Sequence, residues 1–290
     1  MKPALESLQL QVDGINIAGI RQRVPNATDQ PCMLCVHGWL DNANSFVPLM
    51  PYLPAFDLVA IDLPGNGYSD ELPGGYSIHE LTYFLHQIIN ALGWSECHLV
   101  GHSLGGGLTS LLCAASVDTA QSLTLIEASG MLSESAKKLP ERMRKALRDR
   151  IANEKFGSRV FKDKQEAIDA RLRAAKMQPS SAKLIIDRQV EKTADGYRWR
   201  FDKRWRYTSP QYMTEEQVQE ILSSIECPVL SVIADEGYLA DRQDTEHRLD
   251  CIKQHEVIVL TGHHHLHMDT PEPVAAAINR ALKTLPAMGG

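Results

Sequence analysis

The chain has 290 residues, 43% hydrophobic and 6% aromatic, with 30 Lys and Arg against 36 Asp and Glu for a net charge of −6. An apolar fraction near the globular average buries a substantial core, which excludes disordered, fibrous and disulfide-scaffold chains and leaves one large domain or one domain with an insertion. No run approaches the roughly 18 to 20 apolar residues of a membrane helix, and no basic start leads into an apolar run, so the expectation is a cytoplasmic protein with neither a membrane nor a nucleic acid among its partners.

In chain order, Leu8, Leu10 and Val12 alternate, Ile15 and Ile17 alternate, and Asp13-Gly14 between them signals a hairpin. Short apolar runs ended by turn or polar residues follow: Met33 to Val36, Leu58 to Ile61, His98 to Val100, Leu123 to Ile126, Val229 to Ile233 and Val257 to Leu260. Helical stripes lie between several of them, such as Ile78, Leu81, Leu85, Ile88, Ile89 and Leu92 closed by Gly93, then Leu104, Leu108, Leu111, Leu112 and Ala115. Strand and helix in alternation give a mostly parallel sheet with helices on both faces, whose reactive groups collect at the carboxyl ends of the strands.

The alternation stops after Glu127 and resumes near Ile225. From Lys137 to Arg206 stand 22 Lys and Arg and 10 Asp and Glu, whereas the remainder holds 8 and 26. A sign change bounded on both sides marks a segment with its own structural identity. Residues 131–214 therefore read as a helical cap inserted into a core of 1–130 and 215–290, its basic helices docked on an acidic body or, alternatively, attracting an anionic substrate. Cys32 and Cys35 form a C-x-x-C, but they sit in an apolar strand run and read as core packing in a reducing compartment.

The sharpest chemical signal is Gly101-His102-Ser103-Leu104-Gly105, a G-x-S-x-G between a short strand and an amphipathic helix. Glycines at the flanking positions let neighbouring backbone approach a strained turn that exposes Ser103. An oxyanion needs two donors: Leu104 N–H follows the nucleophile, and Trp39 N–H follows His37-Gly38 after another central strand. His37, His102 and Phe46 are candidate substrate contacts. The base belongs late in the chain, where Gly262-His263-His264-His265-Leu266-His267 offers four imidazoles. No fitting Cys, Asp or Glu set lies near that run in sequence, so no metal site is expected.

These residues resemble the α/β-hydrolase family, and within it the serine hydrolase-like subfamily. The resemblance rests on the run from His37 to Phe46 (His-Gly-Trp-Leu-Asp-Asn-Ala-Asn-Ser-Phe), on Asp62-Leu63-Pro64-Gly65-Asn66-Gly67-Tyr68-Ser69 and on the late histidine run, and it spans residues 5–130 and 225–285. It implies an α/β-hydrolase sheet with a cap. It also implies a base lying seven residues before a proline; counting from Pro271 gives His264, with His265 its neighbour and rival, and His267 and Asp269 supporting the loop. Many relatives carry the acid at the position of Gly237, which has no carboxylate here. The acid is then Glu127, at the end of the preceding strand as in haloalkane dehalogenases, or alternatively Asp235. Serine rather than aspartate at position 103 points to hydrolysis of a small or medium ester or thioester through an acyl-enzyme, with no cofactor. A ligand sensor with slow turnover, and a lyase or carbon–carbon bond hydrolase using the same triad, are the alternatives.

Overall fold

Side chains alternate across a strand, so a short strand that is apolar at every position must be covered on both faces. The computed structural model describes residues 4–23, 30–153, 159–240 and 242–284. Asp13-Gly14 turns β1 (Ala4–Val12) back into β2 (Ile15–Arg23), with Val12 paired to Ile15 and both turn residues at positive φ. The apolar runs become β3 (Cys32–Val36), β4 (Asp57–Ile61), β5 (Cys97–His102) and β6 (Ala120–Ile126), with α1 (Ile78–Ala91) and α2 (Leu104–Ala115) as crossovers. The Ser77 side chain accepts from Glu80 N at the start of α1, and Gly93 follows its end at φ 75°.

After β6 the chain runs through α3 (Leu139–Asn153), β7 (Val160–Phe161), α4 (Lys164–Ala174), α5 (Pro179–Gln189), β8 (Val190–Thr193) and β9 (Gly196–Trp199). It returns to the sheet through α6 (Glu215–Ser223), β10 (Val229–Ala234), α7 (Thr245–Asp250), β11 (His255–Leu260), the short α8 (Leu266–Asp269) and α9 (Pro271–Thr284). The eight strands of the main sheet lie in the order β1-β2-β4-β3-β5-β6-β10-β11. Pairs β1–β2 and β2–β4 are antiparallel and the rest parallel.

Alternation sorts each strand between two cores. Leu34, Val36, Val59 and Ile61 pack with Leu85 and Ile88 of α1, Leu108 and Leu112 of α2 and Leu222 of α6. On the other face Met33, Cys35, Leu58 and Ala60 pack with Phe46, Met50 and α9. All six cysteines are free, and burial pushes the Cys35 thiol up, in keeping with packing rather than redox chemistry.

The inserted segment is not wholly helical. Strands β7, β9 and β8 form a small sheet, and Phe161, Ala167, Ile168, Ala182, Ile186 and Val190 make a core of their own. Strands of two to four residues are too short to carry a readable period of two. The segment docks through the loop after β3: Asn42 Nδ2 donates to Ile185 O (2.9 Å) and Asn44 Nδ2 to Leu184 O (2.8 Å). Its basic residues meet core acids, Arg171 with Asp41, Arg188 with Asp62 and Arg204 with Glu71.

Candidate active site

Parallel strands bring the residues that end them to one edge of the sheet. Ser103, between β5 and α2, has φ 51° and ψ −116°, a conformation that costs a non-glycine residue about 1–3 kcal/mol. The surroundings enforce it. Ser103 N donates to Ile126 O (3.0 Å), and the flanking positions leave no room for side chains. A Cβ on Gly101 would stand 2.5 Å from Gly106 Cα, and one on Gly105 would stand 2.0 Å from Val36 O. The close approach that the G-x-S-x-G spacing implies is therefore physical.

Leu104 N–H is at the start of α2, among the orphan donors of a helix N-terminus, and Trp39 N–H lies in the loop after β3, where Leu40 takes φ 58°. Among the described residues neither N–H has a hydrogen-bond acceptor. The Trp39 side chain is half exposed, and its indole N–H donates to Trp205 O in the inserted segment (2.9 Å).

His264 lies in the turn between β11 and α8. Its Nδ1 is 3.0 Å from Glu127 Oε2, and its carbonyl is 2.9 Å from Nε2 of His102, the residue before Ser103. The two rings are 4.8 Å apart between centroids. Nδ1 faces the carboxylate, which leaves Nε2 as the nitrogen available to a nucleophile. The remaining histidines of the run are placed differently: His265 is buried against Asp41, His263 is partly exposed near Glu236, and His267 is fully buried with neither nitrogen hydrogen-bonded. Asp269 accepts from Ser181 Oγ (2.5 Å) and Gln178 N (3.1 Å), joining the His264 loop to α5.

Glu127 follows β6 with a left-handed backbone, φ 50°, and its side chain is fully buried. Three donors converge on it: Ala234 N on Oε1 (2.8 Å), and Tyr238 N (2.7 Å) and His264 on Oε2. Burial pushes its pKa up, but the His264 contact and the two backbone N–H groups outweigh that and hold the carboxyl below its ordinary range. Asp235, in contrast, is exposed and accepts from Gly262 N (2.9 Å); among the described residues no hydrogen bond joins it to His264. Gly237 explains why the carboxylate can reach. A Cβ there would stand 2.3 Å from Glu127 Oε2, so a side chain at 237 would occupy the space the Glu127 carboxylate fills.

The three expected substrate contacts are all buried. His37 is fully buried, with Nδ1 2.7 Å from Gly38 O and Nε2 accepting from Leu63 N (2.9 Å), so it ties the ends of β3 and β4. Phe46 is also fully buried and packs 5.5 Å from the His267 ring. His102 is 1% exposed. Burial lowers its pKa to about 4 against the opposing pull of Asp41, which keeps the ring neutral. A strand end places a residue near the site without fixing which way its side chain points.

Beneath His264 lies a buried network that the sequence did not single out. Asp41 pairs with Arg171 of α4, lies 3.2 Å from His265 Nε2 and 3.6 Å from His102 Nδ1. Burial pushes the Asp41 pKa up, yet Arg171 and the neighbouring imidazoles hold it well below the usual carboxylate range. Nitrogens of His102 and His265 and an Asp41 oxygen lie within 4.8 Å of one another, a donor set of the type that ligates divalent metals. Arg171 faces both Asp41 and His265 Nε2 (3.2 Å), so its guanidinium already supplies the positive charge there.

Residues 31–271 match a family model described as the alpha/beta hydrolase fold. The chain is 28% identical over 267 residues to a serine hydrolase-like protein of Danio rerio, covering 87% of this chain and 81% of that protein. It is 31% identical to a hypothetical protein from Pseudomonas aeruginosa PAO1, whose crystal structure superposes with a TM-score of 0.88 over 96% of this chain and 98% of that one. A thioesterase domain from the curacin biosynthetic pathway shares the fold, with a TM-score of 0.80 at 24% identity over 95% of this chain and 99% of that one.

Proposed function

The chain belongs to the alpha/beta hydrolase fold family, and from that premise we propose that it is a serine hydrolase acting on a small or medium ester or thioester through an acyl-enzyme on Ser103. The observation that carries this reading is the 3.0 Å contact between His264 Nδ1 and the buried Glu127 carboxylate, with Ser103, held at positive φ, bonded through its N–H to the carbonyl of Ile126, the residue before Glu127. His264 Nε2 takes the Ser103 proton as Oγ bonds to the substrate carbonyl carbon, and the carbonyl π electrons move onto oxygen. Leu104 N–H and Trp39 N–H hold that oxyanion, and each such donor is worth about 2.7–4 kcal/mol of transition-state stabilisation.

Glu127 fixes the imidazole tautomer and balances the imidazolium charge. As the intermediate collapses, the carbon–oxygen or carbon–sulfur bond to the leaving group breaks and the imidazolium gives its proton to the departing alkoxide or thiolate. A water, deprotonated by the same nitrogen, then attacks the acyl carbon and releases the carboxylic acid and Ser103. The partner is thus a small molecule, and no cofactor takes part.

The test is a panel of short esters, thioesters and lactones with wild-type protein and Ser103→Ala. The expected result is turnover that vanishes with the serine and, for a fast-leaving ester, a burst equal to the protein concentration. A burst without further turnover on any substrate would make the protein a ligand sensor on the same fold, and turnover retained in Ser103→Ala would overturn the mechanism.

A further inference from the structure

Helix α3 lies across the surface with Ala146 as its one buried hydrophobic residue. Its inward side is anchored at three positions: Arg142 pairs with Glu134 and stacks over the Tyr212 ring (3.7 Å), Ala146 packs, and Asp149 accepts from Thr208 Oγ1. At about 100° per residue these fall in one narrow sector. The adjoining sector, about 120° wide by the same count, carries Leu139, Met143, Leu147 and Ile151, with the exposed Arg150 beside Met143. These four are 36%, 55%, 62% and 53% exposed. Next to it, on the remaining side, come the exposed Arg144, Arg148 and Lys145, which outnumber the one acid there, Glu141, with exposed Lys137 and Lys138 in the turn before the helix.

Single exposed apolar residues are ordinary on a protein surface; four large ones along one side of a helix, over little more than three turns, are not. A helix with an inner anchor, an outward apolar stripe and a basic flank presents what an anionic lipid surface binds: side chains that enter the acyl boundary and cations at headgroup level. The helix stands as a ridge rather than a groove, which fits a plane better than a second helix. A symmetric contact with another copy would bring the basic flanks of both chains together. The rest of the chain, with 26 acids against 8 basic residues outside 137–206, is repelled by the same surface and orients the basic segment toward it.

We propose that the α3 ridge docks this protein on anionic phospholipid bilayers, with Leu139, Met143, Leu147 and Ile151 inserted and Arg144, Lys145 and Arg148 on the headgroups. The protein is thus a peripheral binder; among the described residues no helix is long and apolar enough to cross a membrane. The docking is independent of the hydrolytic reading, and Ser103→Ala retains it.

The test is co-sedimentation of the full chain with phosphatidylcholine vesicles, with and without phosphatidylserine, and light scattering of the protein alone. The expected result is binding to the phosphatidylserine vesicles that weakens with salt and falls at least about tenfold in Leu147→Glu/Ile151→Glu and in Arg144→Glu/Arg148→Glu. Both variants keep wild-type melting and Ser103 labelling, because all four positions are solvent-exposed. Absence of binding, or binding unchanged in the Leu147/Ile151 variant, overturns the proposal. So does a dimer that the Leu147/Ile151 variant dissociates, which would make a second copy the occupant.

Discussion

Glu127→Gln isolates the charge of the proposed acid while keeping its shape. The carboxylate accepts three donors on two oxygens, Ala234 N on one and Tyr238 N with His264 Nδ1 on the other. An amide has one oxygen, so one side must fail. With the amide oxygen in the Oε2 position the imidazole keeps its tautomer, Ala234 N–H faces an NH2, and the imidazolium loses its counter-charge. With the oxygen in the Oε1 position, His264 must accept at Nδ1, and its Nε2 carries the proton it should receive. The first arrangement costs about two decades of rate and the second about four, so kcat/KM falls by about 10²–10⁴, equivalent to about 2.7–5.4 kcal/mol. Either leaves a buried donor unmet and lowers stability by about 1–3 kcal/mol. Asp235→Asn removes only an acceptor for Gly262 N, and its turnover stays within about threefold. Initial rates on an activated ester, with melting curves for each variant, decide the matter. Near-wild-type turnover in Glu127→Gln with a loss of orders of magnitude in Asp235→Asn would refute the reasoning.

Gly237→Ala places a Cβ 2.3 Å from Glu127 Oε2 and should lower both turnover and stability, the latter by about 1–3 kcal/mol, whereas Gly74→Ala, with open space at that position, should leave activity and melting unchanged. Arg171→Met leaves the Asp41 carboxylate buried without its guanidinium; chemical denaturation should show a loss of about 3–5 kcal/mol, with reduced turnover through the His265 and His264 loop. Glu215 is held at a pKa of about 2, chiefly by its hydrogen bonds to Arg248. A depressed carboxylate contributes stability in full above its unfolded pKa near 4.5 and loses it as pH falls toward 2. Glu215→Gln should therefore melt lower than wild type at neutral pH, with the gap closing between about pH 4.5 and 2.

How far the site could be read depended on how local its determinants are. Ser103 was legible because the constraint is carried by glycines two residues away, of which Gly101 meets Gly106 within the turn itself while Gly105 meets Val36 O of the neighbouring β3. The Asp13-Gly14 hairpin and the two-faced strands were legible for the same reason. The proposed acid was only half legible: the sequence shows that Gly237 lacks a carboxylate, but only the fold brings Gly237 against Glu127. Asp41 stands in a run that was noticed, yet its partners Arg171 and His265 are distant in sequence, and no spacing rule connects them. His37 and His102 were expected at the substrate as residues at strand ends and Phe46 as a pocket-lining aromatic; all three are buried, and burial depends on contacts that no spacing in the sequence shows.

The central claim is that one hydroxyl is activated by one imidazole from the end of the chain, and covalent labelling tests it most directly. A fluorophosphonate probe, followed by peptide mapping, should place a single adduct on Ser103, with the labelling rate reduced by orders of magnitude in His264→Ala and unchanged within about threefold in His263→Ala. An adduct on another residue, or Ser103 labelling that proceeds at the wild-type rate without His264, would contradict it.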